Sequence, residues 1–232
     1  AERAAKFRFT PGQIAAAANR AMELSQGGVT PELLHECCYA QVVVGLNTLA
    51  TPIKPAYSWE DLVLPESEIK LLKSALTHVK YRHKVYTEWG FSKKAAYGRG
   101  LSVLFSGPPG TGKTMAAQVI TNQLHMQLFK VQLSQIVSKY IGETEKNLRR
   151  VFTEAKNANC VLFFDETDAL FGKRSEVKDS HDRHANIETA YLLQQMEEYD
   201  GVVLMATNLL QNIDEAFMRR ISFVVAFPFP DA

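Results

Sequence analysis

The sequence predicts an α/β protein: a parallel five-stranded sheet in a three-layer sandwich, preceded by a small helical segment. Three observations carry that prediction. Five short apolar runs, Leu101–Ser106, Leu128–Leu133, Val161–Asp165, Val202–Thr207 and Phe223–Phe227, alternate with longer helical stretches. Near-continuous apolar strands separated by helices are the pattern of a parallel sheet covered on both faces. A glycine-rich turn directly follows the first run, and an acid pair closes the third. The composition is globular, with 46% hydrophobic and 22% charged residues, which excludes wholesale disorder.

Taken in order, the first 50 residues read as helices. Thr10-Pro11 is a helix start, with Ile14, Ala18 and Met22 on one face, and Gly27-Gly28 stops it. Thr30-Pro31 repeats the signal for a second helix reaching about Leu49. Thr51-Pro52-Ile53-Lys54-Pro55 reads as a rigid linker and the clearest boundary, dividing residues 1–52 from 53–232. Pro65 opens a helix with Ile69, Leu72, Leu76 and Val79 on one side, ending near Gly90. From Leu101 the strands begin, and right-handed crossovers place all their carboxyl ends on one edge, where ligands bind.

Gly107-Pro108-Pro109-Gly110-Thr111-Gly112-Lys113-Thr114 is a complete G-x-x-x-x-G-K-[ST] motif between the first strand and a helix starting near Met115. Its glycines let the backbone curl so that N–H groups point at phosphate oxygens, and the helix amino end adds partial positive charge. Lys113 suits the β- and γ-phosphates, and Thr114 suits Mg²⁺. The run Val161-Leu162-Phe163-Phe164 ends in Asp165-Glu166. Adjacent acids at the end of a buried strand call for a nearby cation. Asp165 fits the Mg²⁺ shell, and Glu166 fits the base that polarises an attacking water. Asp168 either joins this set or caps the next helix. The pattern predicts a site for a nucleoside triphosphate with Mg²⁺.

These residues resemble the AAA family of ring ATPases, from about Trp59 to Asp231, the large subdomain of a P-loop NTPase. The resemblance implies that ATP with Mg²⁺ is bound through Gly107–Met115 and Asp165, and that the fourth strand lies between the first and third. Ala206-Thr207-Asn208 then brings Asn208 to the γ-phosphate and the lytic water. Asp214-Glu215-Ala216-Phe217-Met218-Arg219-Arg220 resembles the arginine-finger segment; the arginines are adjacent here instead of two residues apart, so one or both reach a neighbour's site. Ser138-Lys139-Tyr140-Ile141-Gly142-Glu143 matches the axial-channel loop, with Tyr140 and Ile141 gripping a polypeptide. Gly172–Arg183 covers a second channel loop and subunit contact, or is a solvated loop. Self-association into a ring, expected to be hexameric, follows from the resemblance. So does threading or remodelling of protein substrates.

In the family a helical lid follows Phe227-Pro228-Phe229-Pro230, and Phe7–Ile14 resembles the start of such a lid. The chain therefore reads as the end of one module followed by the large subdomain of the next, closest to bacterial Cdc-type tandem ATPases; an independent helical domain is the alternative. Two other functions stay open: a nucleotide-dependent scaffold or switch with low turnover, and a nucleic-acid remodeller. The last would use Lys70–Arg99, with eight basic residues and one acid, but that stretch lacks a recognisable binding fold. Lys plus Arg (26) nearly balances Asp plus Glu (25), which argues against a polyanion-coating protein. Three cysteines, two of them adjacent, read as reduced thiols, and no apolar stretch reaches a membrane span. A cytoplasmic setting is the expectation.

Overall fold

The computed structural model describes residues 11–25, 28–46, 49–91, 100–136, 142–167 and 180–229. Six strands form one sheet: β1 (Ala50–Ile53), β2 (Leu101–Ser106), β3 (Leu128–Gln132), β4 (Val161–Asp165), β5 (Val202–Thr207) and β6 (Phe223–Ala226), in the order β1-β3-β4-β5-β2-β6. β2 through β6 are parallel, and β5 lies between β2 and β4 as expected.

The sixth strand corrects the five-strand expectation. Ala50–Ile53 pairs antiparallel with Leu128–Val131 of β3, so most of the Thr51–Pro55 stretch is an edge strand and not only a linker. Pro52 disguises it in the sequence, yet proline is tolerated on an edge, where no further neighbour requires its missing N–H.

Alternation along each strand sorts side chains onto two faces. Val103, Phe105, Val161, Phe163, Val202 and Leu204 pack with Ala116, Ala117 and Ile120 of α4 (Lys113–Leu124) and Leu72 and Ala75 of α3 (Glu66–His83). Leu104, Phe129, Val131, Leu162, Phe164, Val203 and Met205 face Leu148, Val151, Phe152 and Ala155 of α6 (Glu143–Ala158) and Leu192 and Met196 of α7 (Ser180–Glu198). Two short helices, α5 (Leu133–Ile136) and α8 (Glu215–Met218), follow β3 and β5 among the described residues. This is the three-layer sandwich. α3 carries the expected Ile69-Leu72-Leu76-Val79 stripe and continues as a π-turn through Lys84–Glu88, ending at Gly90 with φ 74°.

The first two helices, α1 (Pro11–Leu24) and α2 (Pro31–Leu46), form a hairpin. The hydroxyl oxygen of Thr30 caps α2 by accepting from the Leu33 N–H at 3.2 Å. The expected Ile14-Ala18-Met22 face is not the packed one. Ile14 and Met22 are exposed, and Ala17 and Ala21 are buried against Cys37. Small residues let the two backbones approach closely, and that outweighs burial of the larger side chains one step around the helix. α2 also packs on α6, and its last residue, Leu46, lies in the main core. Among the described residues no helix is long and apolar enough to cross a membrane.

Candidate active site at the carboxyl edge of the sheet

The turn leaving β2 is fixed by close backbone approach. Phe227 donates its N–H to the Ser106 carbonyl at 2.7 Å, and Gly107 donates to the Thr207 carbonyl at 3.2 Å. A Cβ on Gly107 would sit 2.1 Å from the Phe227 carbonyl oxygen, so no other residue fits. Gly112, with φ 93°, caps α4 in the left-handed region, where glycine carries no steric penalty. Thr111 closes the turn by donating its hydroxyl to the Pro108 carbonyl at 2.9 Å. Met115 packs into the core at the base of the loop.

Lys113 folds back into this turn. Its ammonium donates to the carbonyls of Gly107 (2.5 Å) and Pro108 (2.7 Å) and to Asn208 Oδ1 (2.9 Å). Only 8% of the residue is exposed, and a buried ammonium requires such acceptors. The loop therefore concentrates one cation and the amino end of a helix in one place, a combination suited to phosphate. Asn208, from the end of β5, is brought to Lys113 because β5 lies beside β2.

At the end of β4, Asp165 has both carboxylate oxygens engaged. Oδ1 accepts the Glu166 N–H at 3.0 Å, and Oδ2 pairs with Lys130 Nζ at 2.6 Å. Glu166 adopts φ 54°, a left-handed conformation costing a non-glycine residue on the order of 1–3 kcal/mol and clustering at functional sites. Thr167 then donates both its N–H (3.0 Å) and its hydroxyl (2.9 Å) to the Ala206 carbonyl of β5. That double anchor makes the chain turn at Glu166 and leaves the carboxylate of Glu166 exposed.

Lys130 was not among the residues expected at the site. The signal was present: a lysine inside the apolar run Leu128–Leu133 needs a counter-charge. The register supplies it, since Lys130 pairs with Phe163 and Gln132 with Asp165, putting Lys130 diagonal to Asp165 on the face covered by α4, within reach of a long side chain.

The arginines occupy different settings. Arg219 pairs with Glu215 one helical turn back at 2.7 Å, with its side chain 74% exposed, and Arg220 pairs with Glu197 of α7 at 2.5 Å. The Arg220 carbonyl also accepts from Ser102 Oγ at 2.9 Å. Tyr140, Ile141, Asp168 and residues 172–179 lie outside the described residues. All three cysteines are free thiols. Burial pushes the Cys160 thiol up to about 12, so it is neutral and inert.

The hydroxyl of Thr114 and the carboxylate of Asp165 are hard oxygen donors that fit Mg²⁺ shared with nucleotide phosphates, the usual arrangement for that ion. Among the described residues no group of three His, Cys, Asp or Glu could hold a metal alone.

Comparison with known proteins identifies the family. The model of the ATPase family associated with various cellular activities (AAA) matches residues 103–229. An uncharacterized AAA family ATPase of Sinorhizobium fredii is 31% identical over 180 residues, 78% of this chain and 52% of that protein. A 26S proteasome regulatory subunit 6B homolog of Dictyostelium discoideum is 32% identical over 193 residues, covering 80% and 46%. A cell division cycle protein 48 homolog of Archaeoglobus fulgidus is 31% identical over 192 residues, covering 76% and 24%. The chain thus spans about half the length of the first of these relatives, and less of the others. With the phosphate loop, the acid-tipped β4 and the β5 asparagine on one sheet edge, and a family model spanning residues 103–229, the chain belongs to the AAA family of ATPases.

Proposed function

We propose that this chain hydrolyses ATP and that hydrolysis drives remodelling or threading of protein substrates by a ring of such subunits. The observation that carries the reading is the Lys113 ammonium held jointly by the loop carbonyls and Asn208, beside a strand ending in Asp165-Glu166. Lys113 exchanges its carbonyl acceptors for phosphate oxygens, which are stronger because they are charged. Thr114 and Asp165 would hold Mg²⁺, which supplies charge neutralisation on the phosphates. Glu166, exposed on its left-handed turn, accepts a proton from the attacking water, and Asn208 orients that water through its amide.

The arginine settings support a division of labour. Arg219, on an exposed pair worth little, is the one that leaves Glu215 for the γ-phosphate of an adjacent subunit. Arg220, tied to Glu197 and to β2, holds the segment. The Tyr140 loop would grip the polypeptide, in keeping with relatives named as a proteasome regulatory subunit and a cell division cycle 48 homolog. The α1–α2 hairpin has its own small core, as the lid of a preceding module would in a tandem ATPase, although α2 also packs on α6 and Leu46 joins the main core. A cut at 52/53 runs through β1.

The test is ATP turnover per subunit against protein concentration, with Lys113→Ala as the blank. A specific rate that rises with concentration supports sites completed between subunits. A flat rate would overturn the finger assignment. Nucleotide binding without turnover at any concentration favours the scaffold reading, which the in-chain pairing of both arginines also suits. Glu166→Gln should keep nucleotide binding and lower turnover by about 10²–10⁴; unchanged turnover sinks its role.

A further inference from the structure

We infer that Lys130 competes with Mg²⁺ for Asp165 and thereby sets the Mg²⁺ concentration this site requires. The inference rests on the reading of Asp165 as the Mg²⁺ carboxylate. Its ground is the pairing at the end of β4: Asp165 Oδ2 is bonded to the Lys130 ammonium at 2.6 Å while Oδ1 holds the Glu166 N–H at 3.0 Å. Neither oxygen is bare. An incoming divalent cation, or a water of its shell, must share Oδ2 with the ammonium or displace it.

Geometry makes the displacement feasible and the competition direct. Lys130 and Asp165 follow Leu128 and Phe163 in the same strand parity, so both project onto the face covered by α4, the helix that opens at the phosphate loop. The pair is partly open to solvent, with side chains 28% and 22% exposed, and a lysine stem of four carbons can swing its head into water. The ammonium already supplies Asp165 with positive charge, so part of what Mg²⁺ would gain there is taken. Two cations cannot lie against one carboxylate oxygen without repelling each other.

The experiment uses the full chain carrying Glu166→Gln, so that nucleotide is bound and not consumed. A fluorescent ATP analogue is the probe, and the readout is the Mg²⁺ concentration that half-saturates its Mg²⁺-dependent binding. Lys130→Met should lower that concentration by roughly tenfold, since a factor of ten corresponds to one modest charge interaction. Lys130→Arg, which keeps the charge, should stay near the parent. Adding Asp165→Asn to the parent and to the Lys130→Met variant should erase the difference between them, because the competition acts through that carboxylate. Lys130→Gln serves as a second neutral variant should the methionine substitution disturb β3. An unchanged or higher Mg²⁺ requirement in both neutral variants, with Mg²⁺-dependent binding intact, overturns the competition alone. Binding indifferent to Mg²⁺ in every variant, the parent included, overturns the reading of Asp165 and the competition with it.

Discussion

At the amino edge of the sheet, Tyr199 donates its hydroxyl to the Cys160 carbonyl at 3.1 Å, and the Arg82 guanidinium donates to the Asp200 carbonyl. A Cβ on Gly201 would lie 2.2 Å from the Tyr199 ring, and one on Gly100 2.2 Å from the Tyr199 carbonyl oxygen. At the carboxyl edge, Lys113, Asp165 and Asn208 are also bonded, but to partners that a phosphate or a cation can replace. At both edges these groups are paired. Burial at the amino edge pushes Tyr199 and Cys160 up, so both stay neutral. At the carboxyl edge Asp165 and Lys130 are partly open to solvent and Glu166 is exposed. Pairing alone therefore does not separate structure from chemistry: at the amino edge a Cβ on Gly100 or Gly201 would strike Tyr199, whereas at the carboxyl edge the paired groups carry charges that suit phosphate or a cation.

Substitutions at the carboxyl edge should move function, and substitutions at the amino edge should move stability. Arg219→Ala should lower turnover in the assembled state by about 10³, the scale of an arginine supplied in trans. Its unfolding free energy changes by less than about 1 kcal/mol, since an exposed ion pair contributes little. Steady-state kinetics and a urea titration measure the two. Lys113→Ala should weaken nucleotide binding by at least ~30-fold, equivalent to losing a charged hydrogen-bonded pair, by calorimetric titration with ATP. Gly201→Ala should destabilise the fold by about 1–3 kcal/mol through overpacking against Tyr199, with nucleotide affinity unchanged. Tyr199→Phe should cost about 1 kcal/mol, one buried hydrogen bond.

The smallest effect concerns His78 of α3, whose ionisation burial and the Arg82 charge push below the ordinary value of 6.5. As pH falls through about 6.5 the unfolded chain takes up the proton first, so stability drops in that window. His78→Gln should flatten the decline below about pH 6.5 in denaturation midpoints. A carboxyl-edge variant that lost several kcal/mol of stability, or an amino-edge variant that lost nucleotide affinity alone, would erase the distinction.

The sequence is most legible where one residue type has one use. The five apolar runs fall on β2 to β6, and β2, β4 and β5 are buried on both faces along almost their whole length, which leaves no room for other patterns. Gly107–Thr114 reads directly, since Gly107 and Gly112 stand where contact and backbone angle exclude side chains. β1 is hidden by Pro52, whose edge pairing depends on a partner 77 residues away, Phe129. The packed face of α1 escapes a helical-stripe reading because Ala17 and Ala21 matter through closeness to α2, which no single-helix pattern records. Lys130 escapes because its role depends on strand register. The settings of Arg219 and Arg220 separate only when α7 is in place, since two adjacent arginines look alike until Glu197 claims one.

Thr167 gives the Ala206 carbonyl two donors, and Ala206 lies two residues before Asn208. The backbone bearing the acid and the backbone bearing the amide are thus clamped to one peptide unit. Their separation becomes a dimension of the sheet, like the gap of a fixed jaw, set by strand pairing and not by the surrounding helices. Any cycle of motion in this molecule has to carry Glu166 and Asn208 together and bring the moving parts to them.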